Sequence, residues 1–211
     1  MKVRHSILAV LALLFSVTLF TACGSDDDDD VNNPAPAATR SYVAIWHYFT
    51  VSGDILDYFN VDIIIDNAID ESGKVTTSQV TKRVEKNNLA STGKYEIGQV
   101  TSLPGTLTVS RKVTLKDDVN YDNISSMSFV IGHSYAYGYL NSKGDLIDNN
   151  KYSGVGTTQR LNATTAEQVQ KVVQRVRDGL YDMKPHSYSF DKNGEWVSAY
   201  YEEETDGEEA E

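Results

Sequence analysis

The stretch "FVIGHSYAYGY" (Phe129 to Tyr139) is where residue type and spacing come nearest to nucleophilic chemistry, with His133 and Ser134 adjacent behind Gly132. A serine attacks only when a base takes its proton and a further group orients that base. Other reactive groups are sparse. Cys23 is the only cysteine, so the chain cannot form an internal disulfide. His47, His133 and His186 offer imidazoles, but no two of them share the short spacing of a local zinc motif, and structural roles are expected for all three. Asp117 and Asp118 adjoin in polar loop sequence and read as solvated, whereas a glycosidase pair needs a pocket. No metal ligand and no cofactor is assigned.

Gly132-His133-Ser134-Tyr135-Ala136 resembles the nucleophile elbow of α/β hydrolases. The resemblance implies Ser134 as nucleophile and a relay histidine later in the chain, for which only His186 remains. An elbow also needs a helix after its serine, and here "YAYGYLNSKGD" runs into a turn. The chain around it lacks the alternating β and α segments of a parallel sheet. The stretch therefore reads as a long strand without a catalytic residue. Met127, Phe129, Ile131, His133, Tyr135, Tyr137 and Tyr139 alternate onto one face, and Ser128, Val130, Gly132, Ser134, Ala136 and Gly138 onto the other. The small side lets another element approach closely. Two accounts of the aromatic side stand. Met127 to Ile131 lie in the core with the tyrosines at its wet margin, or Tyr135, Tyr137 and Tyr139, with His133, form a ligand platform.

The surrounding elements are mostly strands. "SYVAIWHYFTV" (Ser41 to Val51) is apolar or aromatic on both faces, as in a central strand. In "YFNVDIIID", Phe59, Val61, Ile63 and Ile65 share one face. In "TLTVSRKVTLK", Leu107, Val109, Val113 and Leu115 align, and Arg111 falls on their side, which suggests a bulge or a strand edge. "DESGK", "NSKGD", "DKNGE" and the looser "ASTGK" suit hairpin loops with glycine at the left-handed position. They lack the later bidentate Glu of a calcium loop. One helix is expected late in the chain. Thr164 and Glu167 make a capping box, Val169, Val172, Val173, Val176, Leu180 and Met183 make an apolar stripe, and Pro185 ends it. A last hairpin follows from His186. The fold class is mostly β (α+β): an antiparallel β sandwich or barrel with one amphipathic helix near the C-terminus.

Outside this body lie an address and two acidic ends. Lys2 and Arg4 precede the uncharged run Ile7 to Phe20. At 1.5 Å per residue that run reaches about 21 Å, short of the ~30 Å bilayer core, so residues 1–22 read as an export signal. Thr21, Ala22 and Cys23 resemble the lipobox of bacterial lipoproteins, which implies lipidation of Cys23 and anchoring in a membrane. Gly24, Ser25 and Asp26, Asp27, Asp28, Asp29, Asp30 resemble the surface-export signal of Bacteroidota lipoproteins, which implies an outer-membrane protein facing outward. A proline- and alanine-rich tether completes residues 23–40, one domain occupies 41–201, and 202–211 is an acidic tail expected to be disordered. The formal charge of −11 belongs to the ends. Five acids lie in Asp26–Asp30 and seven in the tail, which leaves 18 of the 30 acids against 17 bases once Lys2 and Arg4 go with the signal. A near-neutral domain has no basic footprint for nucleic acid. The expected function is a non-catalytic module that binds an extracellular glycan or protein. A structural or assembly subunit of a surface complex, fimbria-like included, is one alternative. A lipocalin-like carrier of a small apolar ligand, if the strands close into a barrel, is another.

Overall fold

A computed structural model describes residues 39–70, 73–147 and 152–201. The signal segment, Cys23 with Gly24 to Asp30, most of the tether and the acidic tail lie outside them. Strand β1 is Tyr42–Gly53, followed by the one-turn helix α1 (Ile55–Tyr58) and β2 (Phe59–Ile65). The short strands β3 (Ala68–Ile69), β4 (Val75–Thr76) and β5 (Val80–Arg83) come next. Then follow β6 (Lys94–Ser102), β7 (Gly105–Leu115), β8 (Met127–Leu140) and β9 (Tyr152–Ala163). Helix α2 (Ala166–Arg177) precedes the closing hairpin β10 (Met183–Phe190) and β11 (Trp196–Tyr201).

These strands form two antiparallel sheets, in the orders β4-β3-β6-β1-β8-β9 and β11-β10-β7-β2-β5. The sheets pack face to face. Phe129 of β8 meets Phe59 of β2, and Tyr135 of β8 stacks on Trp196 of β11. Each described sheet keeps two edges, so the structure is a sandwich and not a closed barrel, and the barrel that a lipocalin-like carrier would need is absent. The period-2 pattern does the sorting. Phe59, Val61, Ile63 and Ile65 are all fully buried while their alternates are half-exposed. At about 1.5–3 kcal/mol per buried branched side chain, such rows supply the main driving force for stacking the sheets.

The four Gly-bearing turns share one geometry. In "NSKGD", for instance, Asn141 N donates to Asp145 O, Gly144 N to Asn141 O, and Asn141 Oδ1 accepts from Asp145 N. Gly144 sits at φ 87°, a value that disfavours any Cβ.

Three local expectations need correction. Arg111 is not at a strand edge, because β7 is the middle strand of its sheet. The irregularity lies in its neighbour: β10 advances from Met183 to His186 while β7 advances only from Arg111 to Val109. Capping of α2 is shifted by one residue. Thr165 is the N-cap and accepts from Gln168 N, while Gln168 Oε1 accepts from Thr164 N at 2.8 Å. Glu167 instead pairs with Lys171. The helix also stops before Pro185. Leu180 N donates to Arg175 O and Gly179 N to Val176 O, with Gly179 at φ 70°, a left-handed termination that leaves Leu180 53% exposed and releases Met183 into β10. Val169, Val172, Val173 and Val176 form the buried stripe against β7 and the 121–123 turn.

Candidate functional site

On β1, positions 43, 45, 47, 49 and 51 face inward, which places His47 between Ile45 and Phe49 in the sandwich. On β6 the inward phase runs Tyr95, Ile97, Gln99, and on β8 it includes His133. The registers His47↔Ile97 and Phe49↔His133 then bring the three polar residues together. His47 Nε2 lies 2.7 Å from Gln99 Oε1, and His47 Nδ1 lies 3.0 Å from His133 Nε2.

Proton positions in this chain follow from its far end. The Gln99 amide nitrogen faces only acceptors: Asp66 O at 2.7 Å, Asp66 Oδ1 at 2.9 Å and Thr108 O at 2.9 Å. Its oxygen is therefore the atom turned to His47, so His47 Nε2 donates. Burial holds the His47 pKa down at about 4 against the raising influence of Gln99, so this ring is neutral and its Nδ1 accepts. His133 Nε2 donates into it, leaving His133 Nδ1 as the lone pair of the relay to which no described residue donates. Burial, His47, Arg111 and His186 together hold the His133 pKa at about 3.

Arg111, 5% exposed, approaches from β7. Its Nε and NH2 donate to Tyr181 O at 3.2 and 2.9 Å, and its NH1 reaches Gly132 O at 3.5 Å. Burial brings its pKa down to about 10, so it stays a cation at neutral pH. His186 stands on β10 with its ring 4.4 Å from that of Tyr188, which itself lies 5.6 Å from His47. Three histidines scattered in the sequence thus converge on one interior. Among the described residues, no three metal-ligating side chains assemble there or elsewhere.

The tyrosines of β8 continue this interior. Tyr139 is 3% exposed and donates to Gly194 O. Tyr135 contacts His133, Tyr188 and Trp196, and Tyr137 contacts Tyr139, Phe190 and Trp196. Their rings point between the sheets, where Tyr135 and Tyr137 are half-buried, and do not stand open as a platform. Ser134 leaves β8 on the opposite face from His133, and β8 runs on to Leu140 with no helix after the serine. The geometry of a nucleophile elbow is absent.

A different aromatic row lies on the outer face of the same sheet. Tyr42, Trp46 and Tyr48 alternate with the buried residues of β1, with Tyr42 37% exposed and the other two half-exposed. Trp46 is paired with Gly98 on β6 and Ala136 on β8, and Tyr48 with Glu96 and Ser134. The floor is small beside Trp46, with Ile69 of β3 against Gly98, whereas Tyr42 is paired with Leu140 on β8 and Ser102 on β6. None of the three rings contacts another described ring, and Lys94 Nζ lies 5.9 Å from the Tyr48 centroid. Reading "SYVAIWHYFTV" as a strand buried on both sides hid this row. Gln99 was legible as a polar residue in the inward phase of "YEIGQV", but its partners come from other strands. The chain matches none of the family models, curated proteins or solved structures with which it was compared.

Proposed function

We propose that this chain is a lipid-anchored lipoprotein of the outer membrane, attached through Cys23 and displayed outward, whose sandwich is a non-catalytic module for an extracellular glycan. The observation that carries the binding reading is the outward row Tyr42, Trp46 and Tyr48, whose central ring stands between Gly98 and Ala136. The backbone of β1 is paired on both sides, to β6 and to β8, so a peptide cannot add to it as a strand. A ligand at this row must lie flat on the rings and hydrogen-bond to side chains at the rim, such as Ser134, Glu96 and Lys94. A pyranose, with a C–H face and equatorial hydroxyls, meets both demands. At about 3.4 Å per residue, Tyr42 to Tyr48 spans ~20 Å, which favours an oligomer over a single sugar. The neutral, hydrogen-bonded histidines and the outward Ser134 supply no activated nucleophile, in keeping with binding alone.

Affinity electrophoresis against a panel of soluble polysaccharides tests the reading. Wild type should be retarded by at least one of them and Trp46→Ala should migrate freely, with unchanged circular dichroism. Equal retardation of both proteins would overturn it. An assembly role is the second reading, favoured by β9, a 12-residue strand at the edge of the six-stranded sheet. A concentration-dependent increase in sedimentation coefficient would support that role.

A further inference from the structure

The β8–β9 pairing breaks step at one place. Gly132 pairs with Thr158, but Ser134 pairs with Val155, so β9 carries an extra residue opposite His133. Gly156 lies in this bulge. A Cβ built there would stand 3.3 Å from His133 Nδ1 and 3.0 Å from His133 O, so the bare glycine backbone lies directly against the ring nitrogen. No described residue hydrogen-bonds to that nitrogen. The relay thus has one sealed end, at Gln99, and one basic end, at the edge of the sheet.

We propose that His133 is a proton-operated latch on the edge strand: uptake of a proton from solvent at Nδ1 releases the 154–158 bulge of β9 from β8 while the rest of the sandwich stays closed.

The direction follows from what surrounds the ring. His47 faces it from β1 and needs its Nε2 proton as a donor, so a new proton can enter only at Nδ1. Arg111 from β7 and His186 from β10 both disfavour a second positive charge. Tyr135 on β8 packs its ring on His133, Tyr188 on β10 packs on His47, and β9 presents Gly156. Among the described residues no carboxylate acts on the ring: Asp66 is spent on Gln99 and Thr108, and Asp182 accepts from Val113 N. An imidazolium here is relieved only by water, and water reaches Nδ1 most cheaply where an irregular edge strand swings away. Edge segments open locally at less cost than the whole domain. In the opened form the ring regains its ordinary pKa of about 6.5. One proton taken up on opening then raises the opening equilibrium about tenfold per pH unit as the pH falls below that value, down to the closed-state value of about 3.

Amide hydrogen exchange of the full chain, corrected for the intrinsic pH dependence of exchange, tests this at pH 7, 6, 5 and 4. Protection over 154–159 should fall about tenfold per unit below pH 6 and stay below that of β2 and β7, which open only with the whole domain. His133→Gln keeps an N–H donor for His47 and removes the titration, so its protection there should be flat with pH. Flat protection in wild type, an unchanged slope in His133→Gln, or protection over 154–159 as high as in β2 and β7 would each overturn the proposal. Nitrogen-15 shifts of the wild-type ring give a check that needs no variant. Nδ1 must be the unprotonated nitrogen at pH 7, and a proton found there would overturn the latch.

Discussion

The inner and outer faces of the six-stranded sheet both carry aromatic rings, yet the rings keep different company. Inside, Tyr135 and Tyr137 are met by Tyr188, Phe190 and Trp196 of the opposing sheet, and His133 by His47, Phe49 and Tyr135. Outside, Tyr42, Trp46 and Tyr48 stand above Gly98, Ala136 and Ser134 with no described ring against them. Both sets come from strict alternation in β1 and β8. What separates a packed ring from one left open is therefore the residue that faces it, whether another ring or a small side chain. Aromatic content alone does not distinguish the two.

That contrast breaks most sharply at Tyr188, which is 1% exposed and contacts His47, Tyr135, His186 and Trp196. Tyr188→Ala should cost about 3–5 kcal/mol in urea denaturation, the range for emptying a large aromatic site. A loss below ~1 kcal/mol would show that the inner cluster is not core.

Acid should act on the inner face next. His47 is fully buried and held at about 4, below the ~6.5 of an unfolded imidazole, so the unfolded chain binds the extra proton between those values. Its contribution to stability is whole above pH 6.5 and is lost as the pH falls through about 4. The urea midpoint should shift accordingly, by about 1.4 kcal/mol of stability per pH unit.

Gln99→Leu should cost about 1–3 kcal/mol, because it strands the His47 Nε2 donor and the Asp66 and Thr108 acceptors in the interior. It should also carry the acid dependence to lower pH, since Gln99 is the influence that raises the His47 pKa. At the bottom of the scale stands Trp46→Ala on the outer face. Its stability cost should be under ~1 kcal/mol even though glycan retention disappears. A Trp46→Ala protein as unstable as Tyr188→Ala would erase the distinction between the two faces.

The strands that carry this contrast were largely legible in the sequence, since one-sided burial writes itself as alternation in "YFNVDIIID" and in β8. The helix was legible for the same reason at a period of 3.6. Its ends were not, because Thr164 and Thr165 are equivalent as caps until packing of Val169 and Val172 sets the rotation. Arg111 looked like an interruption of its strand because its partners, Tyr181 O and Gly132 O, arrive from distant segments. The relay was hidden likewise: His47, Gln99 and His133 are 52 and 86 residues apart, and only strand order and register bring them together. The aromatic face of β8 was visible, but which way it turned depended on the layer packed against it.

The double use of β1 bears on how this chain can change over generations. Insertions of one or several residues into its turns alter only the loops. A single deletion upstream of Trp46 within β1 would swap the strand's two sides, sending the indole into the relay's place and the imidazole into solvent. Ring row and relay would fail together. Length variation should therefore be tolerated around "NSKGD" or "DKNGE" and selected against between Tyr42 and Val51, so that related chains would differ in their loops but keep this strand at one fixed length.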